Sequence, residues 1–312
     1  MIELTGLGKR YGDQWTVQDV SFSVEEGEVF GLLGPNGAGK TTTVECIGGL
    51  RARDAGSITV AGLDPAEHPI ALRRALGMQL QESALPPLMT VREALELFAA
   101  FYPDPADPAE LMARLGLGPK AGTRFERLSG GQKQRLAVAL ALVGRPRVAV
   151  LDELTTGLDP AARREVWTLL EELRSAGTTM LLVSHFMEEV ERLCDRVAVM
   201  RRGRVVALGS PASLAGGIAA AHRVSFALAD AGTGEAPGPE GCDGVVAELR
   251  ARPGVASVTR DGDRLEVRGG PEVADEVMAV VARRGLVTRG VRTQQGSLDE
   301  AYLALVQEGA DT

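Results

Sequence analysis

The sequence predicts an α/β protein: an open, mainly parallel sheet with helices over residues 1–218, then a smaller α+β unit over 222–312. Three observations point there. VFGLLG (Val29–Gly34), VAVLDE (Val148–Glu153) and TMLLVSH (Thr179–His185) are unbroken aliphatic runs, as in strands buried on both faces of a parallel sheet. Helical periodicity fills the intervals between them. After Leu214 the pattern changes to short alternating strands, and 312 residues are comfortable for two domains.

Taken in order, the first aliphatic run ends in GPNGAGKTT (Gly34–Thr42), too rich in glycine for a helix or strand interior. Thr90 to Glu93 reads as a capping box opening a helix with the stripe Val91, Leu95, Phe98, Tyr102. It belongs to a mainly helical insert, about 82–140, that also holds LSGGQKQRL (Leu128–Leu136). Asp159-Pro160 is an N-cap followed by proline at the first helical position, and that helix buries Val166, Leu169, Leu170 and Leu173 before stopping at Gly177. GGIAAAH then reads as a linker. Beyond it Val224, Phe226 and Leu228 alternate, Asp261-Gly262 signals a hairpin, and Val273, Val277 and Val280 mark a helix. The order strand, helix, strand, strand, helix, strand is that of a ferredoxin-like unit. Asp230–Gly241 reads as a loop within it, and Ser297 with Glu300 as the cap of a last helix.

Composition narrows the function classes. A net charge of −8 argues against a broad nucleic-acid surface. Cys46, Cys194 and Cys242 stand alone without CxxC spacing, which argues against a disulfide framework or zinc site. The N-terminal MIELTGLGKRYGDQ lacks the apolar core of a signal peptide. The longest apolar run, Leu136–Val143, is far short of the ~20 residues that span a bilayer.

The chemistry begins at the glycine-rich loop. GPNGAGKT fits G-x-x-x-x-G-K-[ST] between a strand and a helix, so its N–H groups and the helix end can cradle phosphates. Lys40 then places a cation between the outer phosphates, and the Thr41 hydroxyl can ligate Mg²⁺. A purely structural glycine turn would not need the lysine and threonine. In VAVLDE the strand delivers Asp152 beside the metal, and Glu153 follows where a base can activate water. These two motifs leave kinases, GTPases, helicases and transport ATPases open. LSGGQKQRL adds Ser129, Gly130 and Gly131 ahead of a helix, a second anion-binding terminus. One nucleotide does not need both from one chain, so the second serves a nucleotide on another copy.

With these motifs in this order the sequence resembles the ATP-binding subunits of ABC transporters, and among them the drug-resistance-type exporters whose permease is a separate chain. The resemblance covers residues 1–214, and the tail SLDEAYLAL resembles that of the same group. It implies a phosphate-loop ATPase fold with an antiparallel β subdomain and a helical signature subdomain. It implies that Tyr11 stacks on adenine, that Gly34, Pro35, Asn36, Gly37, Ala38, Gly39, Lys40, Thr41 and Thr42 hold the phosphates, and that Ser129, Gly130, Gly131 and Gln132 form the signature. Asp152 becomes the metal carboxylate, Glu153 the catalytic base, Asp159 the loop across the dimer and His185 the switch histidine. Gln81 matches the glutamine that senses Mg²⁺ and the membrane partner; Gln79 is its rival, less favoured because Glu82 directly follows Gln81. Leu154 stands where the family usually has proline, which leaves the loop behind Glu153 less rigid. A histidine after a buried strand can be a mere polar terminus, as His68 and His222 are read, yet His185 ends the strand expected beside that of Asp152.

The resemblance thus implies ATP and Mg²⁺ as ligands, a homodimer sandwiching two nucleotides, and a separate integral membrane permease. Hydrolysis would power export of drugs or other hydrophobic small molecules, with the protein cytoplasmic on the inner face of the membrane and no nucleic-acid partner. The C-terminal unit carries none of the motifs and reads as an accessory domain. The alternative is a soluble, non-transport relative of regulatory or ribosome- and DNA-associated function. Those relatives carry two cassettes or a long coiled-coil insertion, which this chain lacks.

Overall fold

A computed structural model describes residues 1–79, 85–216, 222–262, 264–295, 298, 299 and 302. The chain divides into two compact units, Met1–Ser210 and Pro211–Thr312. The sequence reading placed the boundary at 218–222; the division falls a few residues earlier.

The first unit begins β1 (Ile2–Tyr11), β2 (Gln14–Val24), β3 (Val29–Leu33), α1 (Lys40–Ile47) and β4 (Ala55–Val60). It continues through α2 (Pro69–Ala75), β5 (Leu76–Gln79), α3 (Val91–Ala99), α4 (Pro108–Arg114) and α5 (Gly130–Leu142). Its last part is β6 (Val148–Asp152), α6 (Pro160–Ser175), β7 (Thr179–Ser184), α7 (Met187–Leu193), β8 (Arg196–Arg201) and β9 (Arg204–Gly209).

The main sheet has the order β5-β6-β7-β3-β8-β9, with only β9 antiparallel. Every residue of β3, β6 and β7 is buried, which explains their unbroken aliphatic text. A separate antiparallel sheet, β2-β1-β4, packs its Ile2, Leu4, Val20 and Ile58 into a core shared with Phe30, Val150 and Leu181. Phe22 and Phe30 stack in that core with centroids 5.0 Å apart.

The caps expected at Thr90 and Asp159 are present. Thr90 Oγ1 accepts from the Glu93 N–H, and Glu93 Oε2 accepts from the Thr90 N–H. Asp159 caps α6, whose face buries Val166, Trp167, Leu169, Leu170 and Leu173. The α3 stripe is shorter than expected: the helix ends at Ala99, so Tyr102 lies beyond it.

The second unit contains α8 (Pro211–Gly216), β10 (His222–Asp230), α9 (Pro239–Arg250), β11 (Val255–Asp261), β12 (Arg264–Gly269), α10 (Val273–Arg283) and β13 (Leu286–Gln295). Its antiparallel sheet runs β11-β12-β10-β13, the order of the ferredoxin-like split βαβ. Val224, Phe226 and Leu228 pack on Val245, Leu249, Val273, Val277 and Val280. The loop after β10 is shorter than expected because Pro239 opens α9, a position where a missing N–H costs nothing. The Ser297–Glu300 cap falls on residues outside those described.

Candidate active site

The site is built on the carboxyl ends of parallel strands. β3 stops at Leu33, and the chain turns through Gly34–Gly39 into α1. Two of these glycines are dictated by close approach. A Cβ at Gly34 would lie 2.4 Å from the Met200 carbonyl oxygen; one at Gly39, where φ is 100°, would lie 2.7 Å from that of Thr16. The first turn of α1, with N–H groups that lack intrahelical acceptors, borders a pocket of about 250 Å³ lined by Thr16, Asn36–Thr42 and Glu153.

Lys40 is buried, and its ammonium donates to the carbonyl oxygens of Gly34 (2.8 Å) and Pro35 (3.2 Å). Burial draws its pKa down, against the opposing pull of Glu153 and Asp152. The cation and the two carboxylates therefore share one electrostatic neighbourhood.

Asp152 ends β6, only 1% exposed, and neither carboxylate oxygen has a hydrogen-bond donor among the described residues. Burial first, then the charge of Glu153, pushes its pKa up to about 6, with Lys40 opposing. An orphan carboxylate in such a place is costly and asks for a cation. Its hard oxygens suit Mg²⁺, and Thr41, which lines the neighbouring pocket, carries a hydroxyl that could join them. No group of three or more His, Cys, Asp or Glu among the described residues could hold a metal unaided. The remaining ligands would come from phosphate and water, as is usual for Mg²⁺.

Glu153 follows with φ of 50°, the left-handed region that a non-glycine residue seldom occupies. Its N–H donates to the Val183 carbonyl (2.9 Å), and its own carbonyl accepts from the Thr156 N–H (3.1 Å). The turn lifts its side chain to the pocket. His185 leaves the end of β7, the strand between β6 and β3, and its Nδ1 lies 3.4 Å from Glu153 Oε1. The ring packs against Phe186 at 4.1 Å, and the Arg163 guanidinium lies 4.1 Å from the Phe186 centroid.

The other expected residues lie elsewhere. Ser129 caps α5 in a capping box: its Oγ accepts from the Gln132 N–H (3.3 Å) and Gln132 Oε1 accepts from the Ser129 N–H (3.1 Å). Gly130 is exposed there and Gly131 buried. Asp159 accepts from the N–H groups of Ala162 and Ala161, which hold its carboxyl below the usual range. Tyr11, at the end of β1, is 45% exposed with the Arg51 guanidinium 5.1 Å from its ring centroid. None of these lines the pocket. Gln81 falls outside the described residues. Its rival Gln79 is buried, with its side-chain oxygen accepting from the Asp152 N–H (3.1 Å), a structural use at the base of the site.

Sequence reasoning missed Thr16, on a strand with no motif, which lines the pocket and whose carbonyl crowds Gly39. It also missed Thr155, Trp167 and Glu189, which are buried together behind Glu153.

Residues 17–156 match the profile of the family described as ABC transporter. The chain is 45% identical over 218 residues to the Nod factor export ATP-binding protein I of Burkholderia orbicola (strain AU 1054), covering 68% of this chain and 72% of that protein. The protein of the same description from Rhizobium etli (strain ATCC 51251 / DSM 11541 / JCM 21823 / NBRC 15573 / CFN 42) is 44% identical over 219 residues, covering 68% and 69%. Among solved structures, the ATP-binding subunit of an ABC transporter superposes with a TM-score of 0.62 at 30% identity, covering 69% of this chain and 91% of that one. A dimeric ATP-binding cassette in a post-hydrolysis state, bound to ADP and Pi, superposes with a TM-score of 0.61 at 25% identity, covering 67% and 98%.

Proposed function

The chain belongs to the ABC transporter family, and from that premise we propose that it is the ATP-hydrolysing subunit of an exporter whose permease is a separate chain. The observation that carries the reading is a pocket lined by Lys40, Thr41 and Glu153, with Asp152 in electrostatic reach of Lys40 and Glu153 and His185 Nδ1 3.4 Å from Glu153 Oε1.

Lys40 and the N–H groups of the loop bind the β- and γ-phosphates, and Thr41 and Asp152 hold Mg²⁺. When bound, the metal neutralises charge on the phosphates. Glu153 orients and deprotonates the attacking water, and His185, within ion-pair reach of that carboxylate, contacts the γ-phosphate. Tyr11 takes the adenine and Gln81 completes the metal side.

Ser129–Gln132 and Asp159 stand apart from the chain's own pocket, which supports their use on a nucleotide held by a second copy. Two copies then enclose two ATP molecules in a homodimer. The dimeric relative is consistent with that arrangement. No helix among the described residues is long and apolar enough to cross a membrane, so the transport path is assigned to the permease, which holds this subunit on the cytoplasmic face. The resemblance to the drug-resistance group favours drugs or other hydrophobic small molecules as cargo. Residues 222–312 serve dimer or permease contacts and leave the chemistry alone.

Replacing Glu153 by Gln keeps the shape and removes the base. Steady-state hydrolysis falls by about 10²–10⁴-fold while ATP still binds, and a variant of undiminished rate would contradict the assignment. Co-purification from membranes identifies the permease; a protein recovered with no membrane partner would favour a soluble role.

A further inference from the structure

Behind the Glu153–His185 pair lies a buried carboxylate that the mechanism above does not use. Glu189, on α7, is 3% exposed. Its Oε1 accepts two hydrogen bonds, from the Thr155 hydroxyl (2.9 Å) and from the Trp167 indole N–H (3.0 Å). No Lys or Arg among the described residues pairs with it. A carboxylate stripped of water and held only by neutral donors is expensive. Leu or Met would fill the same space more cheaply.

The three residues belong to three segments that each carry part of the site. Thr155, fully buried, lies two residues after Glu153 in the turn that ends at Asp159. Trp167 sits on α6, the helix Asp159 caps. Glu189 sits four residues after His185. Its helix holds no residue on the pocket, so its route to the chemistry runs through those two donors.

The same turn stores strain. Glu153 keeps a left-handed φ of 50°, a conformation that persists only where the surroundings over-determine it. Leu154, buried in the turn, lacks the ring by which a proline would lock φ. Thr155 is the next residue, and its side chain is anchored to Glu189.

We propose that Glu189 is a positioning residue for hydrolysis: through Thr155 and Trp167 it fixes the turn after Glu153 and the helix after His185 in one register, so that base and histidine meet the γ-phosphate together. The proposal rests on the reading of Glu153 as the base. It deepens that reading by assigning what holds the base in place. Small misplacements of a catalytic group cost up to about 10²-fold in rate, whereas nucleotide affinity depends on Lys40 and the loop, which the tether does not touch.

The test compares the full-length chain with Thr155→Val, Thr155→Ser, Glu189→Leu and the double variant Thr155→Val/Glu189→Leu, each verified as folded by thermal melting. Thr155→Val, isosteric but without a donor, lowers kcat by about 10- to 100-fold and leaves KM for ATP within about threefold. Thr155→Ser restores the donor and most of the rate. Because both changes break one link, the double variant is no slower than the slower single one. The proposal is overturned if Thr155→Val keeps its kcat, if Thr155→Ser loses as much as Thr155→Val, or if the losses multiply. Glu153→Gln run alongside separates the two levels: if it keeps its rate the base is misassigned, and if only it loses rate the tether is wrong.

Discussion

The buried polar side chains of the described residues are Glu28, Lys40, Thr43, Gln79, Asp152, Thr155, Thr179, Ser184 and Glu189, and all lie in Met1–Ser210. Pro211–Thr312 buries aliphatic side chains, Phe226 and Cys242. Most of the polar groups in the first unit are fully occupied within the fold. The Thr179 hydroxyl accepts from the Gly27 N–H, Glu28 pairs with Arg196, and Thr43 donates to the Gly39 carbonyl. Asp152 is the exception, with two orphan oxygens. An orphan buried carboxylate in the first unit, with none among the described residues of the second, places ligand chemistry in the first, because such a group asks for a further cation.

Lys40→Ala tests the first unit most severely. It removes the buried cation of the phosphate loop and so lowers ATP affinity by roughly 10- to 100-fold, the worth of charge-assisted hydrogen bonds. Titration calorimetry with ATP reads this directly, and undiminished affinity would mean that the pocket is not a phosphate site.

Asp152→Asn sharpens the comparison by removing the orphan charge. The folded pKa of Asp152, about 6, exceeds its unfolded value of about 3.9, so the native state binds the extra proton and this group's contribution to stability falls as pH rises from about 4 to about 6. Above that window the ionised carboxylate is a standing cost. The variant therefore melts several degrees higher than the parent at pH 8, with no gain at pH 4, while its hydrolysis is lost. A variant that melts lower at pH 8 would show that the carboxylate is compensated in the unliganded protein. By the same linkage Mg²⁺ binding weakens below pH 6, where the ligand is protonated.

Val277→Ala probes the second unit, with the smallest effect expected on nucleotide. Val277 is fully buried against Phe226 and its neighbours, so the truncation costs about 2 kcal/mol in the stability of that unit. Calorimetric melting detects the loss, and ATP affinity stays unchanged. A matching fall in affinity would make the C-terminal unit part of the nucleotide site.

What was legible in the sequence follows from locality. The loop Gly34–Thr42 was readable because its glycines answer to steric limits, set by the Met200 and Thr16 carbonyls, that no side chain can meet. Strands β3, β6 and β7 were readable because burial on both faces leaves only aliphatic residues. The caps at Thr90 and Asp159 join residues two or three apart and carry their own signatures, whereas the capping box that Ser129 makes with Gln132 was not read as one. The alternation of Val224, Phe226 and Leu228 and the Val273–Val280 stripe sufficed for the second unit's order of elements. Relations made across long stretches were not readable. Thr155 and Glu189 are 34 residues apart and Gln79 and Asp152 are 73 apart, and no spacing rule connects them. The left-handed φ at Glu153 is hidden for another reason: the residue type argues against it, and only the tertiary setting imposes it. The start of α9 at Pro239 was obscured by a composition of Gly, Pro and Glu that reads as loop, although proline there suits the first helical turn.

The central claim, that two copies share each nucleotide, is tested most directly by the mass of Glu153→Gln in solution with and without ATP. Size exclusion with light scattering should report one chain of 32.9 kDa without nucleotide and twice that mass once ATP is bound and cannot be cleaved. A variant that binds ATP, as calorimetry on the same sample would establish, yet keeps the mass of one chain would contradict the shared-site account.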